Sequence, residues 1–331
     1  MDNLTHTLVG AALAQTGLKR RTGLAAATLM IAANLPDLDA LGLAFGENLA
    51  WRRGWTHGPI GLVLLPPMLA AAMLGFDRWQ GRRGRRPEGR VPVHFGWLVA
   101  LAYLGTITHP FFDLLNTYGV RLLMPFSDRW FYGDTLFIVD VWLWLALGLG
   151  VWLSRRREKK VRPRTELPAF AALLFTCLYI AAMGTSSLHA EAVTRRAAGA
   201  VLPVPIGKVV ANPVPVDPLR RRMVFEAGDG YGFAPLRWTP AAEVAIPRRL
   251  MAHNMADPAV AAAARRDPEL EDFLYWSRLP FARIERGPEE TIVTVSDARY
   301  SEGPSSPAFT IRVRLPAAED PGREGAPASA R

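Results

Sequence analysis

The stretch GTITHPFFDLLNTYGVRLLMPFS, residues 105–127, decides how this chain is read. It is apolar enough to lie against lipid, yet it carries His109, Asp113 and Asn116. His109 and Asp113 are four residues apart and Asn116 follows three further on, so a helix would bring all three to one face. An unpaired histidine and carboxylate in apolar surroundings cost several kcal/mol each. They are expected to meet a metal, a partner or water. The segment therefore reads as one wall of a metal site, whose other walls must come from elsewhere in the chain.

Half of the 331 residues are hydrophobic and the mean hydropathy is positive. The long apolar runs fall within residues 1–187, while residues 188–318 have the polar, proline-rich character of a water-soluble domain. Proline, glycine, alanine and serine dominate residues 319–331, which are expected to be a disordered tail. The expected architecture is an α-helical integral membrane bundle followed by a small β-rich extracytoplasmic domain.

Six apolar runs are visible, at residues 4–18, 24–35, 59–76, 95–112, 136–153 and 168–187. The first two are short, roughly 18–23 Å as helices, against a hydrocarbon core about 30 Å thick. Positive charge is concentrated between the runs. Of 20 Lys and Arg up to residue 187, 16 lie in three clusters, at residues 19–21, 78–90 and 155–164. Placing these clusters in the cytoplasm makes the six runs alternate without conflict and puts both termini outside. The basic excess thus reads as membrane topology, and no nucleic-acid partner is expected. Cys177, the sole cysteine, can form no intramolecular disulfide. The N-terminus lacks the basic n-region of a cleavable signal peptide.

This topology has a consequence for chemistry. His6, Asp37, Asp39, His57, His109, Asp113, Asp134 and Asp140 all come to the outer end of the bundle, although no pairing was assumed. Imidazole nitrogen and carboxylate oxygen are the ligands that zinc and similar ions take. Asp37 and Asp39 follow Pro36 in a non-helical turn, where both carboxylates can point at one or two ions. His94 lies at the opposite, basic end and is expected to be off-site, while His189 and His253, in or beside the soluble region, read as structural. The tryptophans at 51, 55, 130, 142, 144 and 152 fit interfacial belts and lipid-facing packing.

In the soluble region, MVFEAG and YGFAPLRW read as strands around a glycine-containing turn. Residues 257–276 read as one helix, and ARIERG, TIVTVSDARY and FTIRVRL as further strands.

The ordered motifs DNLTHTLVG, NLPDLD, RGWTHGP, THPFFDLLNTYGVRLLMPFS and FIVD resemble the bacterial inner-membrane metal-dependent hydrolase family, also described as LexA-binding and inner-membrane-associated. The resemblance covers about residues 1–185. YWSRLPFARI and VTVSDARY are similar to the extracytoplasmic tail of many members. The resemblance implies ligand or catalytic roles for His6, Asp37, Asp39, His57, His109 and Asp113, with Asp140 as a further ligand; where the family usually has Asp-Pro, this sequence has Asp140-Val141. Asp39, Asp113 and Asn116 are the expected catalytic groups, with Thr117 beside them. The expected cofactor is one to three divalent ions, probed first as Zn2+. The expected partners are membrane lipid and a lipid-linked or membrane-proximal substrate, a phosphoester among the candidates. Two other readings stand beside this one. One is a non-enzymatic scaffold or transport component. The other is a regulatory membrane protein that binds a cytoplasmic partner through its basic loops.

Overall fold

The computed structural model describes residues 1–45, 49, 52–238, 242–301 and 309–323. Trp51 and residues 324–331 of the expected tail lie outside the described residues. The chain divides into two units, Met1–Ser186 with Pro213–Pro218, and Ser187–Asn212 with Leu219–Arg331.

The first unit is helical. Its elements are α1 (Asn3–Gln15), α2 (Ala25–Ala32), α3 (Pro59–Arg82), α4 (Phe95–Leu114), α5 (Val141–Lys159) and the first part of α6 (Leu167–Val201). Asp2 caps α1 by accepting from the N–H groups of Leu4 and Thr5, which satisfies donors that the first helical turn leaves free. The segment Leu35–Phe45 is a 3₁₀-helix, because Pro36 cannot continue the α-helical ladder begun in α2.

Three of these helices, α3, α4 and α6, are long and apolar enough to cross a membrane. The sequence suggested about six apolar segments. Among the described residues α1 and α2 are 13 and 8 residues long, and the last turns of α5 are basic, with Arg155, Arg156, Arg157 and Lys159. Only residues 141–153 of α5 are apolar, about 20 Å of helix, short of the hydrocarbon thickness.

The unit is apolar outside and polar inside. Val63, Leu64 and Met68 of α3, Ile107 and Phe111 of α4, Leu145 and Leu149 of α5, and Leu174 and Leu178 of α6 are all exposed. Thr5, His6, Thr28, Thr106, His109 and Asp113 are buried. That arrangement suits lipid around the helices and a polar site within them. Two glycines allow the close approach that builds the interior. A Cβ on Gly10 of α1 would stand 2.6 Å from the carbonyl oxygen of Leu29, and one on Gly105 of α4 would stand 2.6 Å from Cβ of Ala32. Helix α2 is therefore gripped between α1 and α4 at backbone distance. The grip brings His6 on α1 and His109 on α4 into stacking, with ring centroids 3.8 Å apart.

The expected lipid-facing role fails for Trp130. It is buried, with the Arg121 guanidinium 5.1 Å from its ring centroid and Tyr132 stacked beside it. Trp55, Trp142 and Trp152 are exposed. Trp144 donates its indole N–H to Thr5 Oγ1 at 3.0 Å.

The second unit is β-rich. Strands β1 (Ile206–Pro213), β2 (Arg220–Ala227), β3 (Gly230–Trp238), β4 (Ala242–Val244) and β5 (Met251–Ala252) form one sheet. Strands β6 (Pro280–Arg286), β7 (Glu290–Asp297) and β8 (Thr310–Pro316) form an antiparallel second sheet. The β2–β3 hairpin closes with Ala227 opposite Gly230, around the turn expected from the sequence.

Alternation along the strands of the first sheet loads both faces. Val209, Ala211, Met223 and Phe225 pack with Ala190 and Ala198 of α6. Val210 and Val224 face the other way, onto Leu279, Phe281 and Ala298. The helix expected over 257–276 is two helices, α7 (Pro258–Arg266) and α8 (Pro268–Trp276). Pro268 lacks the N–H needed to continue α7, and Asp267 caps α8 through the N–H of Glu269.

Candidate metal centre

The site is assembled around Asp113, whose side chain is fully buried. Nε2 of His57 lies 3.2 Å and Nε2 of His109 3.5 Å from its Oδ2, and Nε2 of His6 lies 3.4 Å from its Oδ1. Arg53 Nε stands 3.1 Å from Oδ2, and the α-amine of Met1 pairs with Oδ1. Asp37 approaches from the 3₁₀ segment, with Oδ1 3.5 Å from Nε2 of His109. It is the member nearest solvent, with 17% of its side chain exposed against none for His57, His109 and Asp113.

Asp37, His57, His109 and Asp113 each offer one ligand atom, and these four atoms lie within 4.8 Å of one another. A tetrahedral ion with bonds of about 2.0–2.2 Å holds its ligands roughly 3.4 Å apart, so the widest pair of donors must close by up to about 1.4 Å. Their chemistry also fits. Nε2 of His6, His57 and His109 and Oδ2 of Asp113 are buried without a hydrogen bond among the described residues. Buried polar atoms are rarely left so, and an ion among them satisfies several at once.

The far side of each ring is held by the protein. His109 Nδ1 lies 2.7 Å from the carbonyl oxygen of Ala33, which can only accept. Nδ1 therefore carries the proton and Nε2 keeps its lone pair for a ligand. His57 Nδ1 has Asp39 Oδ2 at 3.3 Å and Thr56 Oγ1 at 3.1 Å. Such partners fix tautomer and ring plane at metal sites.

Asp37 and Asp39 do not point at the same place. A 3₁₀-helix has about three residues per turn, so residues two apart diverge by roughly 120°. Asp37 turns to His109, while Asp39 turns to the rear of His57 and to the N–H of Arg53, 2.6 Å away. Asp39 thus stands behind a member of the four-residue group instead of within it. His57 lies in the tight turn before α3, where its N–H and that of Gly58 both donate to the Gly54 carbonyl. A Cβ on Gly58 would collide with the Met124 carbonyl oxygen, so glycine is required for that approach.

Asn116 is not on the helix face that its spacing suggests. Helix α4 ends at Leu114, and Asn116 lies beyond the cap, its Oδ1 accepting from the N–H groups of Tyr118 and Gly119 and from Arg53 Nη1. Asparagine side chains bond their own turn in this way and stop helices. Thr117 is in the same turn.

Asp140, expected as a further ligand, lies outside the four-residue group, at the start of α5. Its Oδ1 caps α5 through the N–H groups of Trp142 and Leu143, and its Oδ2 accepts from the Tyr179 hydroxyl at 3.1 Å. Asp134 is buried in the segment before it, with a backbone φ of 48°. His94 caps α4, as expected of a residue away from the site, with Nδ1 accepting from Trp97 N–H.

Arg53 escaped the sequence reading. It lies within the RGWTHGP motif, but one arginine in a polar connection carries no signal of burial. In the structure only 3% of it is exposed, its Nη1 donates to Asn116 and to the Gly119 carbonyl, and its guanidinium stands 4.7 Å from the Tyr118 ring centroid.

A family model described as YdjM inner membrane protein matches residues 1–190. Neither a curated protein nor a solved structure matches the chain. The matched residues make up more than half of the chain and contain every member of the cluster around Asp113; the protein belongs to the YdjM inner membrane protein family.

Proposed function

We propose that this protein is a membrane-bound metal-dependent hydrolase that acts on a lipid-linked or membrane-proximal substrate, with phosphoesters the first class to test. The observation that carries the reading is the group Asp37, His57, His109 and Asp113, three of them buried and Asp37 partly so, among helices whose outer faces are apolar. These four residues would hold one divalent ion. When bound, such an ion supplies Lewis acidity, which brings the pKa of water toward 7 and polarises a carbonyl or phosphoryl oxygen.

The chain's own residues set the conditions for that chemistry. The Ala33 carbonyl and Asp39 hold the two imidazoles in the tautomer that presents Nε2. Asp37, partly exposed, is the member through which protons exchange with solvent. The apolar bundle keeps the surroundings at low dielectric, where electrostatic contributions are larger than in water. Part of the reading is the topology: basic clusters in the cytoplasm, with the site, both termini and the β-rich unit outside.

A second reading has its own observation. Arg53 and the Met1 amine already neutralise Asp113, so the cluster can serve as a buried polar network in a scaffold or transport component. Metal content separates the two. Purified protein holding a stoichiometric transition metal, which a His109→Ala/Asp113→Ala variant loses while still inserting, supports the hydrolase reading. Absence of metal from both, even after incubation with excess ion, supports the network.

A further inference from the structure

We propose that Arg53 is the second cation of this site, in the role that a second metal ion has in two-ion hydrolases, and that the centre holds a single divalent ion. The inference rests on the metal reading above and names the residue that completes the centre's charge.

The placement of Arg53 is unusual for a loop residue. Its φ is 52°, in the left-handed region that non-glycine residues seldom adopt. From there its backbone and its side chain both address the site. The N–H donates to Asp39 Oδ2, Nε faces Asp113 Oδ2, and Nη1 donates to Asn116 Oδ1. One residue thereby ties together Asp39, Asp113 and Asn116.

Charge decides the count of ions. The cluster holds three carboxylates, Asp37, Asp39 and Asp113, and Asp113 is already paired with the guanidinium of Arg53 and the α-amine of Met1. One divalent ion balances the remaining two. A second would leave at least two uncompensated positive charges in a buried apolar setting, which is costly. Ligands point the same way. Outside the four-residue group, Asp39 Oδ1 and His6 Nε2 are buried without a hydrogen bond among the described residues; the other Asp39 oxygen is held by Arg53 N–H and lies beside His57 Nδ1, and His6 Nε2 faces Asp113 Oδ1, which pairs with the Met1 α-amine. At Asp113, Oδ2 already faces Arg53 Nε and Oδ1 already pairs with the Met1 α-amine. Two-ion sites place their ions about 3.5–4 Å apart as a clamp; here the fixed guanidinium supplies the second positive pole.

The test is a count and a spectrum on the full-length protein in detergent, loaded with Mn(II) and freed of excess. The expected result is one Mn(II) per chain with the six-line electron paramagnetic resonance signal of an isolated ion. Arg53→Ala, checked for monodisperse folding, is expected to take up a second equivalent at saturating Mn(II). Two ions per parent chain with an exchange-coupled spectrum would overturn the proposal, as would a folded Arg53→Ala protein that still stops at one. Where the variant does not fold, the parent count alone decides. A count of zero in the parent strikes the metal reading itself, and is told apart from failure of the Arg53 assignment, which gives two.

Discussion

Asp39 stands directly behind His57. Its Oδ2 is 3.3 Å from Nδ1, while Nε2 on the other side of the ring is 3.2 Å from Asp113. A carboxylate so placed orients the imidazole and raises its basicity without touching the ion. Asp39→Asn is therefore expected to keep the metal stoichiometry and to weaken affinity about 10–100-fold, read by competition with a chelator. Asp37→Asn and Asp113→Asn, which alter members of the group itself, are expected to lose the ion under the same conditions. An Asp39→Asn protein that cannot be loaded at all would make Asp39 a ligand.

Asp140 separates a helix cap from a metal ligand. Its carboxylate holds two N–H groups at the start of α5 and the Tyr179 hydroxyl. Asp140→Ala should cost about 0.5–2 kcal/mol of stability, seen as a lower melting temperature, with the metal content of the folded protein unchanged. Metal loss without destabilisation would contradict this placement.

Packing at Gly105 is expected to control the site from a distance. A side chain there meets Cβ of Ala32 at 2.6 Å and the Leu29 carbonyl at 2.9 Å, so Gly105→Val must push α4 away from α2. Overpacking of this kind costs about 1–3 kcal/mol. Because His109 is four residues along α4 and hydrogen-bonds the Ala33 carbonyl just past α2, metal affinity should fall together with thermal stability. Gly148→Ala, where a Cβ inside α5 meets nothing within 4 Å, is the control: metal affinity should stay the same, and stability should hold or rise by up to about 1 kcal/mol from helix propensity.

The β-rich unit carries a pH-dependent contribution of its own. Burial would push the Asp297 carboxyl up, but the Arg299 guanidinium, bonded to it at 2.9 Å through both Nε and Nη2, together with Ser277, holds it below the ordinary range. A carboxyl depressed on folding contributes its full stabilisation above the unfolded value of about 3.9. That contribution is lost as pH falls through the lower folded value. Melting followed from pH 6 to pH 2 should show this loss in the parent and a flatter profile in Asp297→Asn. At neutral pH the variant should be about 3–5 kcal/mol less stable, since it strands the buried Arg299 charge.

The helical half was legible because apolar runs of roughly 18 or more residues are too long for ordinary strands and too apolar for helices that face water. The residues around Asp113 were legible because histidine and aspartate in such runs demand a partner; His6, Asp37, His57, His109 and Asp113 do meet. What the sequence concealed followed from local geometry. The divergence of Asp37 from Asp39 depends on a 3₁₀ turn, which a proline announces only as a break. Asn116 leaves the helix because its side chain captures the following N–H groups, so a spacing argument carried past Leu114 fails. Asp140 sits at the start of an apolar run in the sequence, and a helix cap and a ligand look alike there. Arg53 was hidden because its burial depends on Asp113, Asn116 and Gly119, all more than 50 residues away.

The most direct measurement is the metal content of the detergent-purified protein beside its His109→Ala/Asp113→Ala variant, by elemental mass spectrometry after reconstitution with Zn(II). The expected result is one equivalent in the parent and none in a variant that still inserts into the membrane. No metal in the parent, or equal metal in both, would contradict a metal centre around Asp113.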